Sequence, residues 1–358
     1  MSRFVLDCAV SRPVDEQTAR WLDSSAQRAW ADPTAGYHEA KVSSQLLHES
    51  ARTMAELVGG ASAWFCPDHV SALRNALEDA HRPECVTVCT AEVDSMLIHQ
   101  AAAGFATASG LAHETLAVDA DGRIAADSLA SVAAPALMLT SVGNQEIGAL
   151  QADLTPWAAE TGSTVVFDAS CAWGWVDLPA AWDRIVLDPR SWGAPAGAAV
   201  VVSRQQADHA GFQNVAAAVV AALCAQRWHN GWRRAREAAS EQIAMVREQV
   251  LARITGVEMH GGSPGDLPHI LSISVLYVDA EAVQTRLDAR GFAVGSGSAC
   301  ASRSGQPSHV LAAIGGLTSG NIRVGLPPDL GNDNIEGFIA ALVEVVDEVR
   351  AEMGTQRL

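Results

Sequence analysis

Lysine is almost missing from this chain: 358 residues contain one, Lys41, against 23 arginines. Chemistry that runs through a side-chain amine, such as imine formation with a carbonyl compound, therefore has a single candidate group. Basic residues as a class are also outnumbered, 24 Lys and Arg against 41 Asp and Glu, for a formal charge of -17. That balance disfavours nonspecific attraction to nucleic acid or to an anionic membrane and suits a basic partner better. No apolar run is long enough to span a bilayer, and the N-terminus has no basic segment leading into an apolar core. The expectation is a cytoplasmic protein with neither membrane insertion nor secretion.

A disulfide framework is missing too. Seven cysteines, an odd number, are scattered at positions 8, 66, 85, 89, 171, 224 and 300, which reads as a set of thiols. Cys300 differs from the rest in its neighbours. The stretch Gly295-Ser296-Gly297-Ser298-Ala299-Cys300-Ala301-Ser302 suits an accessible loop, whereas a structural cysteine more often sits among bulky apolar residues.

What is present is an alternation of short apolar runs and alanine-rich helical stretches. Ala136 to Thr140, Thr164 to Phe167 and Ala198 to Val202 are nearly continuous in apolar residues, the pattern of strands buried on both faces of a parallel sheet. Helices are predicted between and after them, at Ser43 to Val58, Val70 to His81 and Asn214 to Leu251. The fold class expected is α/β, a mostly parallel sheet sandwiched by helices, with function at the carboxyl ends of the strands. Length allows two cores. We divide the chain into an N-terminal arm (1–15), a large α/β domain (16–205), and a connecting helix with a small α+β domain (206–358).

Several segments carry a family resemblance in register along nearly the whole chain. They are Phe4-Val5-Leu6-Asp7, Arg12 to Glu16, Asp32 to His38, Gly143 to Gln151, Val166-Phe167-Asp168-Ala169, the Cys300 loop, Pro307 to Leu311 and Asn321-Ile322-Arg323-Val324. Together they resemble cysteine desulfurases of the class V aminotransferase family, enzymes of the pyridoxal-phosphate (PLP) dependent transferase type I fold. The resemblance implies a role for each matching residue. Cys300 would be the catalytic thiol that takes sulfur from PLP-bound cysteine. Arg323 would grip the substrate carboxylate in a two-pronged bond. Asp168 would hold the protonated pyridine nitrogen, and Gln145 stands where a second asparagine contacts the cofactor. It also implies a dimer and a sulfur-acceptor or iron-sulfur scaffold protein as partner.

The same alignment shows what has been lost. Ser191 stands in the place of the Schiff-base lysine, and serine cannot form an imine. Pro67-Asp68-His69-Val70 replaces the phosphate-binding loop, so that Asp68 brings negative charge where a dianion would sit. Val93 takes the place of the ring-stacking histidine and Cys171 that of a glutamine. Trp173, Trp175 and Trp192 are expected to fill part of the vacated space. Lys41 reads as part of a surface helix and not as a substitute.

Three readings follow. In the first, which the losses favour, the chain is a desulfurase-like pseudoenzyme without covalent PLP. Its Cys300 relays sulfur or ligates an iron-sulfur cluster shared with a partner. In the second it is an active desulfurase, lyase or aminotransferase with PLP held non-covalently; in the third, a regulatory dimer partner of a genuine desulfurase.

Overall fold

The structure is a computed structural model that describes residues 3–207, 211–297 and 307–354. Two sheets are built among the described residues. The larger contains β2 (Ser62–Cys66), β3 (Thr87–Ala91), β4 (Ala112–Leu116), β5 (Ala136–Ser141), β6 (Thr164–Asp168), β7 (Arg184–Leu187) and β8 (Ala199–Ser203), in the spatial order β2-β8-β7-β6-β5-β3-β4. Strands β7, β6, β5, β3 and β4 are mutually parallel, as the apolar runs of β5 and β6 predict. β8 departs from that expectation by running antiparallel to both β7 and β2. The segment between β7 and β8 holds only a 3-10 turn, Pro189–Trp192, and a parallel crossover needs a dozen or more residues, usually a helix. Because β2 and β7 both oppose β8, β2 ends on the same rim as the parallel strands.

Strand alternation sorts the apolar side chains onto two faces. Val88, Leu137, Leu139, Val166, Val186 and Val201 pack with α3 (His69–Ala80) and α4 (Met96–Ser109). Cys89, Met138, Phe167, Ile185, Val200 and Val202 point the other way, into a core shared with α2 (His38–Val58) and α7 (Val215–Arg253). Burial on both faces explains why these runs read as continuously apolar. Side chains also mark where helices begin. Asp15 accepts the Thr18 amide at 2.7 Å to start α1 (Glu16–Arg28), and Ser95 accepts that of Ile98 to start α4, each worth about 1 kcal/mol. The short helices α5 (Ala126–Ala130) and α6 (Thr155–Thr161) line connections of the larger sheet.

Helix α7, 39 residues and about 58 Å long, carries the chain to the second sheet. That sheet has the order β1-β11-β12-β10-β9, from β1 (Phe4–Leu6), β9 (Val257–His260), β10 (Ile270–Val275), β11 (Phe292–Ser296) and β12 (Asn321–Gly325). Packed with it are α8 (Ala280–Ala289), α9 (His309–Ala313) and α10 (Asn332–Glu352). The N-terminal arm is thus a strand of the C-terminal sheet, paired in parallel with β11. No described helix is long and apolar enough to cross a membrane.

Candidate functional site

Four parallel strands end on one rim, and the loops that leave them meet. β3 delivers Val93 and Ser95, β5 delivers Ser141 to Glu146, β6 delivers Asp168, Ser170 and Cys171, and β7 delivers Asp188 and Arg190. The first turn of α3, after β2, adds His69. They enclose a cavity of about 320 Å³, closed from the other side by Val10, Gly297, His309 and Val310. This is where open α/β sheets place their ligands.

At its floor a histidine and an aspartate are joined. Nε2 of His69 lies 2.9 Å from Oδ2 of Asp168, and both side chains are largely buried. The other oxygen of Asp168 accepts the Ser170 amide at 3.0 Å and the Ser170 hydroxyl at 2.5 Å. Burial opposes charge on either partner, yet each is held charged by the other. The pKa of His69 lies above its ordinary value because the Asp168 charge and hydrogen bond, with Asp188 behind them, outweigh desolvation. That of Asp168 lies below its own because His69 and Ser170 do the same. Beside them Arg190 donates to both oxygens of Asp188, to Oδ2 from Nη2 at 2.5 Å and from Nε at 2.9 Å, and to Oδ1 from Nε at 3.1 Å.

The residues singled out in the sequence are found as follows. Ser191 is buried, absent from the cavity lining, and its hydroxyl donates to the Asp188 carbonyl at 2.9 Å. Asp68 caps α3, accepting the Ser71 amide at 2.8 Å and its hydroxyl at 3.0 Å. It is exposed, so its repulsion of a phosphate is nearer about 1 kcal/mol, the value for water, than the several expected of a buried site. Gln145 and Val93 line the cavity, as does Cys171, whose thiol donates to the Gly143 carbonyl at 2.8 Å and is pushed up in pKa by burial. Arg323 is buried on β12, where its Nη2 donates to Asp7 at 2.5 Å and its Nη1 to the Gln145 carbonyl at 3.4 Å. Lys41 is exposed on α2, outside the cavity. Cys300 lies outside the described residues.

Two expectations are corrected. Trp173, Trp175 and Trp192 do not fill the cavity. They lie buried behind its floor, where Trp192 donates to the Ala221 carbonyl of α7 and Trp175 packs edge-on against Trp228. The glycines before Cys300 are also not simply loop residues. Gly295 is part of β11, and a Cβ there would collide with Asp7 and with Arg323, whose Nε it would meet at 2.9 Å. A Cβ on Gly297 would meet Glu146 Oε1 and Asn321 Oδ1, each at 2.5 Å. A side chain at either position would have to displace these polar groups.

Sequence reasoning missed the groups that seat the second sheet on the first. Ser308 donates to the buried Glu146 carboxylate and accepts the Leu311 amide at 3.2 Å, capping α9. Burial raises the Glu146 pKa, while Ser308, Arg323 and His309 pull it back. Next to it His309 Nε2 donates to the Asp94 carbonyl at 2.9 Å, and its ring meets His99 edge-on at 6.1 Å. His99 is kept neutral, with a pKa lowered to about 4, first by burial and then by His309 and His113. The Glu in Gly143-Asn144-Gln145-Glu146 was visible, but its partner lies 162 residues away. Replacing Ser308 by alanine removes a donor from a buried carboxylate and a helix cap, and should cost about 2 kcal/mol. Urea denaturation tests this; a loss below about 0.5 kcal/mol, the level of an ordinary surface substitution, would contradict it.

Comparison with known proteins agrees with this architecture. Residues 199–338 match the aminotransferase class-V family. The chain is 34% identical over 109 residues to a cysteine desulfurase of Nostoc sp. (strain PCC 7120), a match covering 30% of this chain and 27% of that relative. The chain therefore spans only about a quarter of the length of that relative in this match. A cysteine desulfurase of Cereibacter sphaeroides aligns from end to end, 23% identical over 98% of this chain and 97% of its own. The solved structure of a NifS-like protein superposes with a TM-score of 0.84 at 16% identity, over 97% of this chain and all of that one. Over residues 199–338 the chain is thus similar to aminotransferase class V, and as a whole it resembles cysteine desulfurases and shares the fold of a NifS-like protein.

Proposed function

We propose that this protein is a desulfurase-like pseudoenzyme that has lost covalent PLP and uses Cys300 to accept and relay sulfur or to ligate an iron-sulfur cluster shared with a partner. The observation that carries the reading is at the lysine position: Ser191 has no amine, and its hydroxyl is already bonded to the Asp188 carbonyl. The residues around the cavity do not fit PLP at two further points. Asp168, the acid for a protonated ring nitrogen, is taken by His69 and Ser170, and the start of α3, which would cradle a phosphate, is capped by Asp68. Arg323 is paired through Nη2 with Asp7, which a substrate carboxylate would have to compete with. Dimerisation with itself or with a related desulfurase, and a cytoplasmic place of work, belong to the same proposal.

The test is an absorption spectrum of the purified protein titrated with PLP, then treated with L-cysteine and with borohydride, followed by intact-mass measurement. No cofactor band and no reduced adduct are expected. A borohydride-stable adduct would overturn the reading and make the active enzyme the better description. In parallel, a low-molecular-weight persulfide should add one sulfur atom to the wild type and none to Cys300→Ser. Equal labelling of the two would remove Cys300 from the mechanism and favour a purely regulatory partner.

A further inference from the structure

We propose that His69, assisted by Asp68, is the specificity-determining residue that closes this cavity to phosphorylated, ring-protonated pyridines, by supplying from the chain itself the charges such a ligand would bring. The inference rests on the family reading of the site but concerns residues particular to this chain. The two residues are adjacent at the start of α3 and act in different directions. His69 reaches into the cavity and sets Nε2 2.9 Å from Asp168 Oδ2, where a protonated ring nitrogen would sit. Asp68 turns back over the helix N-terminus and takes the Ser71 amide and hydroxyl, donors that an incoming phosphate would use.

A carboxylate has about four acceptor positions. On Asp168 the Ser170 amide and hydroxyl occupy Oδ1 and His69 occupies Oδ2. Ser170 is held by the backbone, since its hydroxyl also accepts the Asp188 amide at 2.9 Å. His69 is therefore the only one of these contacts that can be removed without unmaking the turn after β6. The two substitutions should also differ in size. His69 and Asp168 are both largely buried, whereas Asp68 is exposed, so the charge of Asp68 is screened by water.

The test uses full-length wild type, His69→Ala, His69→Asn, Asp68→Gly and the double variant His69→Ala with Asp68→Gly. Each is titrated separately with PLP, with pyridoxal lacking the phosphate, and with inorganic phosphate; ligand absorbance or thermal shift reports binding, and near-UV circular dichroism checks folding. Freeing Asp168 should tighten PLP and pyridoxal alike by about tenfold to a hundredfold, the worth of one charged hydrogen bond. Asp68→Gly should tighten only PLP and phosphate, by severalfold. The double variant should bind PLP tightest of all, without a borohydride-stable adduct because Ser191 remains. His69→Asn serves if the alanine variant does not fold. Folded His69 variants that bind PLP and pyridoxal no better than wild type would overturn the proposal. Covalent PLP on the wild type would sink the pseudoenzyme reading alone, because the ratio of variant to wild-type affinity still decides the role of His69.

Discussion

Replacing His69 by alanine should lower the unfolding free energy by about 3 kcal/mol near pH 5.5, the cost of leaving a buried charge without its partner, reduced toward the lower end by the Ser170 bonds that Asp168 keeps. The loss should depend on pH in a defined way. His69 has a raised folded-state pKa, so its contribution is complete below the ordinary histidine value of about 6.5 and fades as pH rises through the folded value. Asp168 has a depressed one, so its contribution is complete above the ordinary value of about 4 and fades as pH falls through the folded value. The gap between wild type and variant is therefore widest from about pH 4 to pH 6.5 and narrows on both sides. Urea denaturation at several pH values measures it. A gap of constant size from pH 4 to pH 9 would show that the lost packing of the imidazole, and not its charge, is responsible.

Gly174→Ala should be at least as damaging, at about 3 to 5 kcal/mol. Gly174 sits at φ +78° in the turn after β6, a conformation costing an alanine about 1 to 2 kcal/mol. Its Cβ would in addition collide with the indole of Trp228. That indole has little room to yield. It donates to the Trp173 carbonyl at 3.2 Å, packs against Trp175 at 4.9 Å, and carries the Arg12 guanidinium 4.1 Å above its ring. Trp175 in turn stacks flat on the buried His269 at 4.0 Å. This column of rings backs the turn that presents Asp168, Ser170 and Cys171 to the cavity. Hydrogen exchange in the variant should accelerate at the amides of residues 169–176, together with the fall in denaturation midpoint. A loss under about 1 kcal/mol, smaller than the backbone term alone, would mean that the column shifts freely.

The parts of the site that could be read in advance are those marked by residue type at one position. Gln145, which lines the cavity, is such a mark. Asp168 at the end of an apolar run is another. The pairing of Asp168 with His69 was not readable: Asp68 and His69 appeared only as a poor phosphate loop. Their actual work, one as a helix cap and one as a counter-ion, depends on α3 crossing the sheet from β2 to β6. Arg323 was legible as a candidate for a carboxylate but not as the partner of Asp7, 316 residues earlier. The tryptophans illustrate the opposite error. Their size suggested a filling for the cavity, while their positions around Gly174 turn them toward α7.

The sequence by itself determined the α/β class, the strands buried on both faces, and the helices near residues 43–58, 70–81 and 214–251. These depend on local hydrogen-bond demands and on the period of apolar residues, which a one-dimensional pattern carries. Only the tertiary structure decided which charges meet: His69 with Asp168, Asp7 with Arg323, Ser308 with Glu146. Such pairs form between segments that are distant along the chain, and what brings them within hydrogen-bond reach is the order of strands in the packed sheets. The arm that carries Asp7 is placed by its pairing with β11, and α3 places His69 by lying across the rim. In each case burial makes a charge seek a partner, and the fold decides which partner is in reach.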